Sequence, residues 1–191
     1  MSGNPFSFPD VGSRESIRKE GVILHSTISE YMESMPPDQF IAPQGEHWSP
    51  DGHLRHITKA TRAVAKAMSV NKGLLMLRFG ISFRPSDTYD GIREKYLMRI
   101  AAGAGAGRFT PSDRNTDVSL EDWKAQTMDR WKAAGADLIV QLDRWHDTAL
   151  DRLRLPHPLL GKLTVREILF FTLLHNAHHA QRTWERSGKD V

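Results

Sequence analysis

"SLEDWKAQTMDRWKAAGADLIVQLDRWHDTA" runs from Ser119 to Ala149 and carries a stripe of Leu120, Trp123, Thr127, Trp131, Ala134, Leu138, Leu142, Trp145 and Ala149. These mostly apolar positions recur every three or four residues, which aligns them along one side of an α-helix. At 3.6 residues per turn the stripe covers about eight turns. A helix of that length with a continuous apolar side requires other helices to cover it, so the stretch predicts a bundle.

Three further segments supply the partners. Upstream, Ile17, Gly21, Leu24, Ile28, Tyr31 and Met35 repeat the same spacing, and "MPP" at 35–37 stops the helix because proline cannot continue it. "HWSPDGHLRHITKATRAVAKAM" (47–68) opens a second helix, with Ser49 suited to the N-cap, Pro50 to the first helical position and Asp51 to the positive end of the dipole. Its end is expected near residues 71–73. A last helix begins at "LTVREIL", where Thr164 and Glu167 have the spacing of a capping box, and runs to about Ser187.

Residues 71–118, between the second and third helices, are the least regular part. They hold Pro85, Pro111 and the glycine-rich "AAGAGAGRF", which reads as flexible linker because it lacks the spacing and flanking elements of a phosphate-binding loop. A short helix fits "DGIREKYLMRIAAG" (90–103). No fixed-period repeat and no alternating strand pattern is visible. The expectation is an all-α, four-helix bundle forming a single domain over 1–191, with an N-terminal tail at 1–12 and a long irregular connection at 71–118.

Composition narrows the function classes. With 39% hydrophobic and 26% charged residues the chain has the make-up of a folded globular protein. The net charge of +3 is spread over scattered basic residues, which argues against a nucleic-acid partner. No apolar run reaches the roughly 18 residues of a membrane span, and the N-terminus lacks the order of a signal peptide, so a cytoplasmic location with no membrane partner is expected. The absence of cysteine excludes disulfides and thiolate ligands, leaving nitrogen and oxygen to hold any metal.

Histidine is the obvious donor. In "LLHNAHHAQRTWER" (173–186), His175 and His179 are four residues apart, which stacks them on one helix face where both rings can reach one ion. Rotation from Ile168 and Thr172 places them inward, where an imidazole without a partner is costly. His178 adds an adjacent nitrogen. His53 and His56 open the second helix: the stripe of Leu54, Ile57, Thr61, Val64 and Met68 lies nearer His53, whereas His56 lies beside the small residues Ala60, Ala63 and Ala67, so the spacing leaves both open as a third ligand. The bland readings apply elsewhere. Trp123, Trp131 and Trp145 read as core or interface anchors, His146 and Asp147 are too close in sequence to form a dyad, and His25 and His157 lack local partners.

Two segments resemble the DinB/YfiT-like family of metalloenzymes: "WSPDGHLRHI" (48–57), with a histidine eight residues after the tryptophan, and "HPLLGKLTVREILFFTLLHNAHHAQ" (157–181), with its HP-x-x-G-x-L-T lead into an H-x-x-H-H helix. The resemblance spans nearly the whole chain. It implies that His56, rather than His53, joins His175 and His179 in holding a divalent metal inside a four-helix bundle of up-down-down-up order, and that the protein is a homodimer. One departure is Arg182, where the family commonly has glutamine; here the glutamine is Gln181. Three neutral imidazoles without cysteine suit zinc or nickel and leave a coordination position open. The family resemblance implies a metal-dependent enzyme that activates a low-molecular-weight thiol, in the manner of an S-transferase, or water, for attack on a small electrophile. The alternative is a non-catalytic metal-binding or structural helical bundle.

Overall fold

Four helices bury the stripes read above, and their caps explain where each begins. The computed structural model describes Phe6 and residues 11–187, so the expected tail at 1–12 lies outside the described residues apart from Phe6, Val11 and Gly12. Helix α1 (Arg14–Ser34) starts where the Ser13 side chain accepts from the Ser16 amide, buries Ile17, Leu24, Ile28 and Met32, and ends before Pro36. A short α2 (Pro37–Ile41) follows. Helix α3 (Pro50–Met68) has Ser49 at its N-cap, although the Ser49 hydroxyl bonds to the Asp51 carboxylate and not to a backbone amide. The third long helix, α6 (Leu120–Asp143), is capped by Ser119 accepting from the Asp122 amide. The last, α8 (Val165–Ser187), carries the expected capping box: Glu167 N donates to Thr164 Oγ1 at 3.3 Å and Thr164 N donates to Glu167 Oε2 at 2.8 Å.

Cross-helix contacts give the topology. Arg18 near the start of α1 reaches Asp143 at the end of α6, while Lys132 of α6 pairs with Glu33 near the end of α1, so these two run antiparallel. Trp123 Nε1 donates to Asp51 at one end and Trp145 Nε1 to the Met68 carbonyl at the other, so α3 and α6 run parallel. His53 meets His179 and His56 meets His175, so α3 and α8 are antiparallel. The bundle is therefore up-down-down-up, with α3 and α8 as neighbours. Among the described residues no helix is long and apolar enough to cross a membrane.

Three features correct the reading from spacing. The connection after α3, which ends at Met68 and not near residue 72, is long but not irregular throughout: it holds α4 (Lys72–Phe79) and α5 (Tyr89–Ala101), the latter where a short helix fitted the sequence. The third helix stops at Asp143, about two turns before Ala149, and the chain resumes as α7 (Asp147–Arg152). Trp145 in the break is still buried, at 1% exposure, so the spacing reported continued burial and not continued helix. Finally, β1 (Arg154–His157) and β2 (Gly161–Thr164) form an antiparallel hairpin that was not expected. Strands of four residues are too short to show alternation, and Pro156 within β1 masks it further. Gly161, at φ 76°, takes the left-handed conformation at the start of β2.

Candidate metal centre

The N-terminal turns of α3 and the C-terminal half of α8 face each other across the bundle, and imidazoles fill the space between them. One ring nitrogen from each of His56, His175 and His179 lies within 4.8 Å of the others. The ring centroids form a nearly even triangle, at 4.8 Å for 56 to 175, 4.5 Å for 56 to 179 and 4.6 Å for 175 to 179. His56 and His175 are buried, and His179 is partly buried.

Two of the three rings are oriented by a hydrogen-bond partner behind them. His56 Nδ1 donates to the Phe109 carbonyl at 2.9 Å; a carbonyl only accepts, so the proton is on Nδ1 and the Nε2 lone pair faces the cluster. His56 Nε2 lies 2.9 Å from His175 Nε2. His179 Nδ1 lies 2.8 Å from His53 Nδ1, which leaves Nε2 of His179 as the nitrogen that could reach an ion. Trp48 roofs the group, its ring stacked on His179 with 12° between planes and tilted against His53 and His56. The tryptophan-to-histidine spacing thus has a physical basis: the residue before the Ser49 cap folds back over the first two turns of α3.

Burial holds these imidazoles neutral. It lowers His175 and His179 well below the usual histidine value, with mutual repulsion among the rings adding to the effect. His56 is lowered by burial, partly opposed by its bond to Phe109. His53 is lowered to about 3 by burial and by the positive charge of Arg186. A neutral imidazole has a lone pair to give.

The donor set fits a divalent ion. Three neutral imidazole nitrogens converge, the donor type and number that a divalent ion with an open position takes. Tetrahedral bonds of about 2.05 Å would place nitrogens roughly 3.3 Å apart. The two Nε2 atoms at 2.9 Å would need to separate by a few tenths of an ångström, and the other separations, all within 4.8 Å, would adjust toward the same value.

A cavity of about 610 Å³ opens onto the three rings. Its walls come from α3, α5, α8, the hairpin and the connection after α5, and include Ala60, Val64, Tyr96, Ile100, Leu155 and Phe171. The glycine-rich stretch read as linker is in fact part of this wall: residues 104–107 and Phe109 line the cavity, and a 3-10 turn at Gly107–Phe109 delivers the carbonyl that orients His56. Nothing in its composition signals that role. His157, without a local partner in the sequence, also reaches the cavity from β1. Its Nδ1 accepts from the Leu159 and Leu160 amides, and burial lowers it to about 4. His178 lines the cavity outside the three-histidine group, its ring 5.6 Å from Tyr96.

Of the tryptophans read as anchors, Trp123, Trp131 and Trp145 are all buried. His25 stacks on Trp131 at 4.4 Å and its Nε2 donates to the Trp131 carbonyl, a packing role. Comparison with curated proteins and with solved structures finds no match. A family model for the DinB superfamily matches residues 24–182, a span that takes in α3, the hairpin and all three clustered histidines. The chain belongs to the DinB superfamily.

Proposed function

We propose that the protein is a metal-dependent enzyme in which His56, His175 and His179 hold a divalent ion, zinc or nickel, beside a cavity that admits a small molecule. The observation that carries this reading is the convergence of three neutral imidazoles at the wall of a cavity large enough for a substrate. A purely structural site would be closed by a fourth protein ligand. When bound, a divalent ion supplies Lewis acidity that brings a thiol or water toward its anion near neutral pH.

The chain's own residues do the rest. Phe109 and His53 orient two of the rings, and Trp48 covers one side of the cluster. The apolar wall excludes water from a bound substrate, which strengthens every electrostatic interaction beside it. The reaction proposed is attack of a low-molecular-weight thiol, or of water, on a small electrophile.

Metal content and cobalt spectroscopy test the reading. Purified protein is expected to carry a stoichiometric divalent ion that is lost in a His56→Ala/His175→Ala/His179→Ala variant. After reconstitution with Co²⁺, a thiol substrate is expected to add an intense near-ultraviolet band. Unchanged metal content in the triple variant overturns the site; metal binding without a band for any small thiol overturns thiol activation and leaves either activation of water or the non-catalytic metal-binding alternative.

A further inference from the structure

One end of the cavity carries two positive charges that, among the described residues, form no ion pair within contact distance, although Glu185 lies near enough to act on Arg186. Arg182 and Arg186 both line it, one turn apart on α8 and beyond His179 in the chain. Among the described residues neither guanidinium makes an ion pair or hydrogen bond. The acid beside them on the helix, Glu185, accepts from Gln181 at 2.7 Å, and the one carboxylate among the lining residues, Glu46, is exposed. Like charges at this spacing repel, and both side chains are only partly exposed. A protein tolerates such a pair readily where an anion joins it, because two guanidinium forks can each donate paired N–H groups to a carboxylate or phosphate.

We propose that Arg182 and Arg186 form an anion clamp, so that the cavity takes a small molecule with a terminal carboxylate or phosphate at that end. The rise of 1.5 Å per residue puts these positions roughly 4.5 and 10.5 Å along α8 from His179. The anion and the end that reaches the histidines are then separated by a chain of about half a dozen bonds. Beyond the histidines, toward the start of α8, Val64, Leu155 and Phe171 line the same cavity and offer a hydrocarbon-like surface to the rest of the molecule. The clamp itself stands on the arginine placement alone; the assignment of the other end as the reactive end rests on the metal-centre reading above.

Calorimetric titration of the metal-free full chain, at low salt, tests the clamp without relying on metal. The probes are 6-mercaptohexanoate, 6-mercaptohexyl phosphate and neutral 6-mercaptohexanol, the first two distinguishing carboxylate from phosphate. The wild type is expected to prefer an anionic probe over the neutral one by about tenfold. Arg182→Gln/Arg186→Gln abolishes that preference while leaving the neutral probe unaffected, and Arg182→Lys/Arg186→Lys keeps part of it. No preference in the wild type, or one that survives the double glutamine variant, overturns the clamp. Co²⁺ uptake, measured on the same proteins, reports on the metal centre separately: uptake without anion preference sinks the clamp alone, and anion preference without uptake sinks the metal reading alone.

Discussion

His53 and His56 share the first turns of α3, and both are buried, at 5% and 4% exposure. Their nitrogens nevertheless have different partners. His56 Nε2 meets His175 in the cluster, whereas His53 Nδ1 meets the back of His179. On the proposed assignment, His56→Ala removes a ligand and abolishes stoichiometric metal binding. His53→Ala leaves the ligand set in place and weakens the affinity by about 10–100-fold, the usual effect of removing a residue that orients a ligand. Chelator competition with each variant checks this, and the reverse order would make His53 the ligand.

At the scale of elements, two close fits set the stability of the helices around the site. Gly135 lies inside α6, and a Cβ there would fall within the His25 imidazole of α1. Gly→Ala in a helix normally stabilises by up to about 1 kcal/mol; here overpacking reverses the sign, and Gly135→Ala is expected to destabilise by roughly 2 kcal/mol in a denaturant titration. Adding His25→Ala should recover much of that loss.

The other fit anchors the start of α8. Glu167 is fully buried and accepts from both Arg84 nitrogens and from the amides of Asp87 and Thr164. Burial alone would raise its pKa, but these donors outweigh burial and hold the carboxyl below its usual range. Its contribution is therefore present above the ordinary carboxylate pKa and is lost as pH falls through the depressed one. Glu167→Ala is expected to cost about 2–3 kcal/mol at neutral pH, below the most buried pairs because Arg84 is half-exposed. The difference between variant and wild type should shrink in acid.

Across the whole molecule, acid sensitivity should be dominated by histidine. Seven of the nine, at 25, 53, 56, 157, 175, 178 and 179, are held below the usual value of 6.5, chiefly by burial, with His53 near 3 and His157 and His178 near 4. The folded chain keeps them neutral while the unfolded chain takes up protons, so this stability is fully present above 6.5 and declines as pH falls toward those lower values. Denaturation of the metal-free protein as a function of pH measures it; a flat profile down to about pH 5 would contradict neutral burial. Added zinc or nickel is expected to raise the melting temperature near neutrality by mass action, with the gain fading in acid as protons compete for the same nitrogens.

The sequence by itself determined the four long helices, their starts at Ser49, Ser119 and the Thr164–Glu167 box, the inward face of His175 and His179, and, through the motifs at 48–57 and 157–181, the family. Those features are encoded over a turn or two, where side-chain spacing and capping chemistry act directly on the local backbone. Spacing on α3 alone leaned toward His53, because it reports which side of a helix is buried and not which partner waits there. The motif resemblance at 48–57 implied His56; only the tertiary structure decided that His53 stands behind His179, that a glycine-rich connection supplies the Phe109 carbonyl, and that a hairpin brings His157 to the cavity. The hydrogen bonds that bring these histidines together and orient them join positions 53 to 126 residues apart. No local pattern specifies such a meeting; it is set by which faces pack together once the bundle closes.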